Sequence, residues 1–279
     1  MGMRARCLLL AVMWLVPGVG SAEEAPQAVT VTLEDGDPNE SRLMFAPTGR
    51  PLGKGNGYFS DHYVLFPGFA YGLTKNVAVA GGVSVIPALG LSDQVFYVSA
   101  SSAWRLGTRA SLVLGGLYAS APGPDEDLGA AAALFGITTF GPSDRSLSVG
   151  LGWLATREEE YRYDDSGAFL GSRGDWRFRD APVLVLGGSL RVGRNLSLVS
   201  ESWLFLGKDF DLSRQPFGFA LRFFSGRISA DVGVVLVAEV LEEGFPVPWL
   251  SFSYHFGPSR RASGRSGPAT PAWARTAAR

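Results

Sequence analysis

The strongest constraint on how this chain folds is a period-two alternation whose second face carries the wrong residues for water. Val77, Val79, Val83 and Val85 alternate with Ala78, Ala80, Gly82 and Ser84. Leu147, Val149, Leu151 and Trp153 alternate with Ser148, Gly150 and Gly152, and Phe217, Phe219, Leu221 and Phe223 with Gly218, Ala220 and Arg222. Successive side chains of a strand point to opposite faces, so each stretch is a strand with one large apolar face and one small face. A soluble sandwich turns Lys, Glu and Thr outward on its second face. Gly, Ala and Ser there fit instead the lumen of a barrel whose apolar face meets lipid. The charge-free stretch 76–92 is interrupted by Gly81, Gly82, Pro87 and Gly90, which argues against a membrane helix. The low charged fraction, 18%, agrees with a chain that shows little surface to water.

Turns repeat along the chain. Gly72, Gly107, Gly141, Gly193 and Gly226 each follow one alternating run and precede another. The pattern predicts strands at 41–47, 58–71, 76–87, 94–106, 109–121, 129–140, 145–157, 178–192, 195–206, 214–225, 227–240 and 247–256. That is an all-β, antiparallel up-and-down transmembrane β-barrel of about twelve strands. The glycine turns fall at every second connection and are short. The alternate connections are longer and more polar, the expected asymmetry between periplasmic turns and outer loops. An even count returns the chain to its starting side. The longest connection, 158–180, alternates aromatic and charged residues around Ser166-Gly167 and Gly171, which predicts a hairpin extending beyond the membrane.

The ends of the chain differ from its middle. Arg4 and Arg6, the apolar run 7–16, Pro17-Gly18 and the small residues Gly20-Ser21-Ala22 have the layout of a secretory signal peptide, expected over 1–22. The single cysteine, Cys7, lies within it, so the exported chain is expected to hold no disulfide, which suits the bacterial envelope. Residues 23–40 carry six acids and no base and are expected to form an acidic periplasmic arm; the barrel domain is expected over 41–257. Residues 258–279 form a basic tail with five Arg and no acid, rich in Gly, Ser, Ala and Pro. The formal net charge of −1 is therefore a cancellation between segments, and nothing in it points to a nucleic-acid partner.

Val247-Pro248-Trp249-Leu250-Ser251-Phe252-Ser253-Tyr254-His255-Phe256 resembles the terminal strand of bacterial outer-membrane β-barrel proteins. That resemblance implies recognition by the barrel-assembly machinery through the strand ending at Phe256, and residence in the outer membrane among its lipids. The class usually ends at that Phe, whereas here residues 257–279 follow.

The two faces carry separate expectations. Outward aromatics should form girdles at the membrane rims: Phe69, Tyr71, Trp104, Phe140, Phe223, Tyr254 and Phe256 on the periplasmic side, and Tyr63, Phe96, Tyr118, Trp153 and Phe217 on the outer side. Inward, the alternation places Arg105, Arg191, Arg222, Glu201, Asp231, Glu239 and His255 in the lumen, with Arg222 and Asp231 able to pair diagonally across neighbouring strands. Such charges either line a watery path or knit a network that closes it. Twelve strands enclose more space than the eight whose side chains can fill a barrel. With a small-residue lining, this favours a narrow porin-like channel or transport barrel for small solutes. A closed structural or surface-interaction barrel is the alternative. A lipid-directed hydrolase would rest on Ser60-Asp61-His62, but consecutive strand residues face opposite ways, so Asp61 cannot orient His62, and no enzyme is expected. No metal or cofactor site is expected. Only two histidines are present, and the acidic runs Asp125-Glu126-Asp127, Asp164-Asp165 and Glu242-Glu243 lack the spacing of a calcium loop. Gly49-Arg50-Pro51-Leu52-Gly53-Lys54-Gly55 lacks the spacing of a phosphate loop.

Overall fold

The alternating segments pair in register into one closed antiparallel barrel. The computed structural model describes residues 36–258 except 88–89, 91–93, 121–128, 165, 167–168 and 240–245, and the backbone alone at 158–163 and 169–173. The described residues form thirteen strands: β1 (Gly57–His62), β2 (Phe66–Gly72), β3 (Val77–Val83), β4 (Phe96–Arg105), β5 (Ala110–Ser120), β6 (Ala130–Phe140), β7 (Arg145–Tyr163), β8 (Phe169–Phe178), β9 (Val183–Gly193), β10 (Leu196–Phe205), β11 (Phe217–Ser225), β12 (Ile228–Leu236) and β13 (Val247–Phe256). Twelve of them make the wall. Each pairs with its sequence neighbours, and β1 closes on β13 from Gly57↔Phe256 to His62↔Ser251. Closure leaves the twelve-stranded wall without an edge.

The thirteenth strand, β8, is an extension of the wall. The first part of β7, Arg145–Gly152, pairs with β9; from Ala155 onward it pairs with β8. Between β8 and β9 stands Pro182, which has no N–H for a ladder. The expected hairpin beyond the membrane is thus β7–β8. β7 is 19 residues long, about 60 Å when extended. On the other side of the barrel β1 and β2 have only 6 and 7 residues, so the rim there is low.

Two expectations about strands fail, and their errors cancel in the count. Residues 58–71 are two strands, not one. The chain reverses at 63–65, where Tyr63 and Val64 take φ of 58° and 64° and the Leu65 N–H donates to the His62 carbonyl at 3.1 Å. A positive φ at a β-branched residue is unusual, and nothing in Tyr-Val announces a tight turn. Pro67 argues against one long strand here, because a proline interrupts a ladder. The other failure is 41–47, which is not part of the wall. The wall begins at Gly57, and the chain before it lies inside the barrel.

Outside, the barrel is apolar. Phe59, Leu114, Leu134, Leu147, Leu151, Val232 and Phe252 are all exposed, an apolar outer surface of a kind that soluble monomers rarely show. At the end with the short turns Phe59, Phe69, Tyr71 and Phe256 pack ring on ring, with Phe59–Phe69 centroids 5.2 Å apart and Phe69–Phe256 5.9 Å apart. At the long-loop end Phe96 meets Tyr118 at 5.9 Å. Tyr63 departs from its expected girdle position. It leans edge-on against Trp249, 5.7 Å away, and its hydroxyl donates to the Pro248 carbonyl at 2.7 Å.

Candidate functional site: a plugged lumen

Residues 37–50 fold into a narrow two-legged plug within the barrel. The legs are tied by an Arg42↔Pro47 bridge, the Leu43 N–H to the Ala46 carbonyl at 2.8 Å, and the Thr48 N–H to the Ser41 carbonyl at 2.9 Å. Met44 and Phe45 form the apex. Ser41-Arg42-Leu43-Met44-Phe45-Ala46-Pro47 carries a continuous apolar run of four rather than an alternating one, so it suits surroundings that are protein on all sides. Asn39, Arg42, Leu43, Met44, Ala46 and Thr48 are accordingly buried, whereas Phe45 at the apex stays 45% exposed.

The small lining residues make room for this segment. A Cβ added at Gly187 would stand 2.5 Å from the Leu43 side chain, and one at Gly218 would stand 2.8 Å from the Met44 sulfur. The glycine-rich inner face is thus the complement of a packed plug, not the lining of an empty pore.

Polar anchoring comes from wall residues that point inward. The Arg222 guanidinium forms a fork on Asp231, with Nε to Oδ1 at 2.7 Å and Nη2 to Oδ2 at 2.8 Å. The two residues sit directly opposite on β11 and β12 rather than diagonally. Its remaining donors all reach the plug. Nη2 donates to the Leu43 carbonyl at 2.6 Å, and Nη1 to the carbonyls of Asn39 and Arg42 and to the Asp37 carboxylate, at 3.2, 3.1 and 3.3 Å. A fully buried guanidinium with every nitrogen bonded is the arrangement in which a buried charge is tolerated.

Glu201 on β10 works on the opposite polarity. Its carboxylate accepts from the Phe45 N–H at 2.9 Å, the Ala46 N–H at 3.0 Å and Trp203 Nε1 at 2.6 Å. It thereby satisfies the amides that the tight apex turn leaves without backbone partners. On the plug itself, Arg42 donates to Ser253 Oγ at 2.9 Å and Ser251 Oγ at 3.3 Å, with a longer contact of 3.5 Å to His62 Nε2. Its guanidinium lies 5.4 Å over the Tyr58 ring. Where the plug leaves, the Gly49 N–H donates to Thr139 Oγ1 at 2.8 Å, and Arg50 Nη2 donates to the Gly141 and Pro142 carbonyls at 3.0 and 2.7 Å. Those carbonyls lie at a short turn, so the plug rises from the short-turn end and returns there.

The other residues expected in the lumen do less. Arg191 folds onto its own turn, donating to the carbonyls of Gly193 and Arg194, with its guanidinium 5.3 Å over the Phe224 ring. His255 packs on Tyr58 at 5.3 Å near the short-turn end. Arg105 is exposed at the end of β4. Glu239 is displaced from its expected place. β12 ends at Leu236, and Glu239 is exposed in a helical turn that follows it, 3.2 Å from Arg214. Ser60 and His62 share the inner face, but Asp61 points the other way and its Oδ1 accepts from the Phe66 N–H at 3.3 Å. His62 meets a guanidinium instead of an acid, which is not the arrangement of a nucleophile–base–acid relay. The acidic runs at 125–127 and 242–243 and the basic tail beyond Pro258 lie outside the described residues.

Sequence reasoning missed Asp37, Asn39, Arg42, Phe45 and the role of Ser251 and Ser253. The available signals were Pro38 and Pro47 bracketing a non-alternating apolar run.

No family model matches the chain, and no curated protein matches it. Solved structures of similar architecture include two porins. The NanC porin superposes with a TM-score of 0.41 at 9% identity, covering 73% of this chain and 98% of that one. The KdgM porin, solved in complex with disordered oligogalacturonate, superposes with a TM-score of 0.45 at 10% identity, with the same two coverages.

Proposed function

We propose that this protein is a small porin-like solute channel of the bacterial outer membrane, kept shut at mid-lumen by its own N-terminal segment. The observation that carries this function is how the plug is attached. Among the described residues, its only strand-like pairing is the Arg42↔Pro47 bridge within itself. Hydrogen bonds from individual groups and packing hold it to the wall, while the wall's ladders close without it through β1 and β13. A segment outside the ladders can leave the lumen without opening the sheet. The barrel it would leave behind has twelve strands, wider than the eight that side chains can fill.

The other parts of the chain support the same setting. Short turns face the periplasm and the β7–β8 hairpin faces outward, as in outer-membrane barrels. Residues 1–22 serve as the export signal, and the strand ending at Phe256 serves as the contact for barrel assembly. Small solutes are the cargo. The alternative, a permanently closed surface barrel, draws on the full burial of Arg222.

Planar-bilayer recording separates the two. The refolded full chain is expected to give rare, brief openings, and a variant with a weakened plug is expected to give long ones. Silence at all voltages in both, from barrels that show heat-modifiable migration, would establish the closed barrel instead.

A further inference from the structure

Above the plug the lumen changes character. Tyr97, Trp203, Trp249 and His62 stand on the inner face close to the long-loop ends of β4, β10, β13 and β1. Phe45 rises among them. Its ring lies 6.3 Å from Tyr97, 6.2 Å from Trp203 and 6.4 Å from His62, tilted by 52–58° in each case. His62 and Trp249 are 5.2 Å apart. Tilted contacts leave ring faces uncovered, and Phe45 is 45% exposed. The result is an aromatic collar on the long-loop side of the plug, with Phe45 as its floor.

Two donors in this collar lack partners. His62 Nε2 faces Arg42, which can only donate, so the ring proton belongs on Nδ1. That Nδ1 and Trp249 Nε1 are both buried without a hydrogen-bond acceptor, and His62 is only 8% exposed. An unmet buried donor is costly, and a turn of either ring that brings its N–H to the acceptor of a ligand or water relieves it.

From this pairing we infer that the collar is a binding site for neutral sugars entering from the long-loop side, an inference that rests on the channel function proposed above. A pyranose presents an apolar face of C–H groups, which suits the negative face of an aromatic ring, and a rim of hydroxyl and ring oxygens, which suits unmet N–H donors. A purely apolar solute covers the rings but leaves both donors unmet. Both guanidiniums beneath the collar are buried, so an acidic sugar finds no exposed cation there. The Arg42 Nη groups are held by Ser251, Ser253 and His62, leaving only its buried Nε without a partner, and the Arg222 charge is met by the Asp231 and Asp37 carboxylates.

Tryptophan fluorescence of the refolded full chain, titrated with maltotetraose, cellotetraose and a galacturonate trisaccharide, tests the site. At least one neutral tetrasaccharide is expected to give a saturable change in the millimolar range, and the acidic one a midpoint at least tenfold weaker. Tyr97→Leu and Trp249→Leu are each expected to raise the neutral-sugar midpoint at least tenfold, with Trp249→Phe recovering part of the loss. Heat-modifiable migration identifies variants that still fold, and the Tyr97 variant serves if the Trp249 variant does not. No saturable response to either neutral sugar, stronger binding of the acidic one, or unchanged midpoints in the folded variants would overturn the site. Conductance is judged separately. A barrel that conducts but ignores both neutral sugars removes the site and leaves the channel, and one that binds but never conducts does the reverse.

Discussion

The plug meets two unlike walls. Toward β10–β13 and β1 it meets charge and hydroxyls, Glu201, Arg222, Asp231, Ser251 and Ser253, set around a second apolar cluster in which Leu43 and Met44 pack with Val199 and Ala220. Toward β4–β6 and β9 it meets a small apolar patch in which Ala46 packs with Ala103, Val113, Ile137 and Val185. The polar wall is directional, since each bond demands one position of one plug atom. The apolar wall is not, and only asks that space be filled. The difference separates two jobs. The polar side sets where the plug sits, and the apolar side stabilises whatever sits there.

Breaking the polar wall should therefore have the largest effect. Arg222→Ala leaves Asp231 and Asp37 as buried carboxylates without their cation, a cost of about 3–5 kcal/mol. A cysteine placed at Met44, buried in the native chain, is expected to turn from maleimide-resistant to rapidly labelled in that background. Replacing the pair together, Arg222→Leu with Asp231→Leu, removes the charges at once. The barrel is expected to recover most of its thermal stability while labelling at position 44 stays fast, because the plug carbonyls still lack donors. Equal labelling in the native chain and in both variants would show that Arg222 holds only the wall.

Glu201→Gln is a milder break. The amide keeps an oxygen for one plug N–H but loses the charge, and bonds to charged groups are worth about 1.5–3 kcal/mol. Labelling at position 44 is expected to rise, but less than with Arg222→Ala. The smallest effect belongs to the apolar wall. Ile137→Val removes one methylene at a cost of about 0.5–1.5 kcal/mol. It is expected to lower the unfolding temperature slightly with no change in labelling. If Ile137→Val released the plug as readily as Glu201→Gln, the division of labour between the walls would be wrong.

How far this arrangement is legible in the sequence depends on which periodicity a residue obeys. β7, β11 and β13 follow strict alternation, so their faces and their register partners can be read directly. Arg222, Asp231 and Glu201 are placed on the inner face by the same rule, because parity alone decides it. The Arg222–Asp231 pair is legible too, but what Arg222 and Glu201 bind in the plug is not, because those partners are mostly backbone carbonyls and amides of 39–46, and side-chain identity does not report on those. The 63–65 reversal hides for a similar reason. Its φ values are imposed by closure of the barrel against β13, where the Tyr63 N–H donates to the Leu250 carbonyl at 3.1 Å, and not by a glycine. Small residues on the inner face misled most, since a lining of Gly and Ala is equally what an open pore and a filled one require.

One measurement bears directly on whether the N-terminal segment is a removable stopper in a conducting barrel. A Met44→Cys, Gly218→Cys pair sets one thiol on the plug and one on the wall at a contact where the Met44 side chain reaches to 2.8 Å from the Cβ position of residue 218. Built into the Arg222→Ala chain and recorded in a planar bilayer, it should be silent when oxidised and should conduct steadily once a reductant is added. The same conductance in both states, or none in either, would contradict the plugged channel.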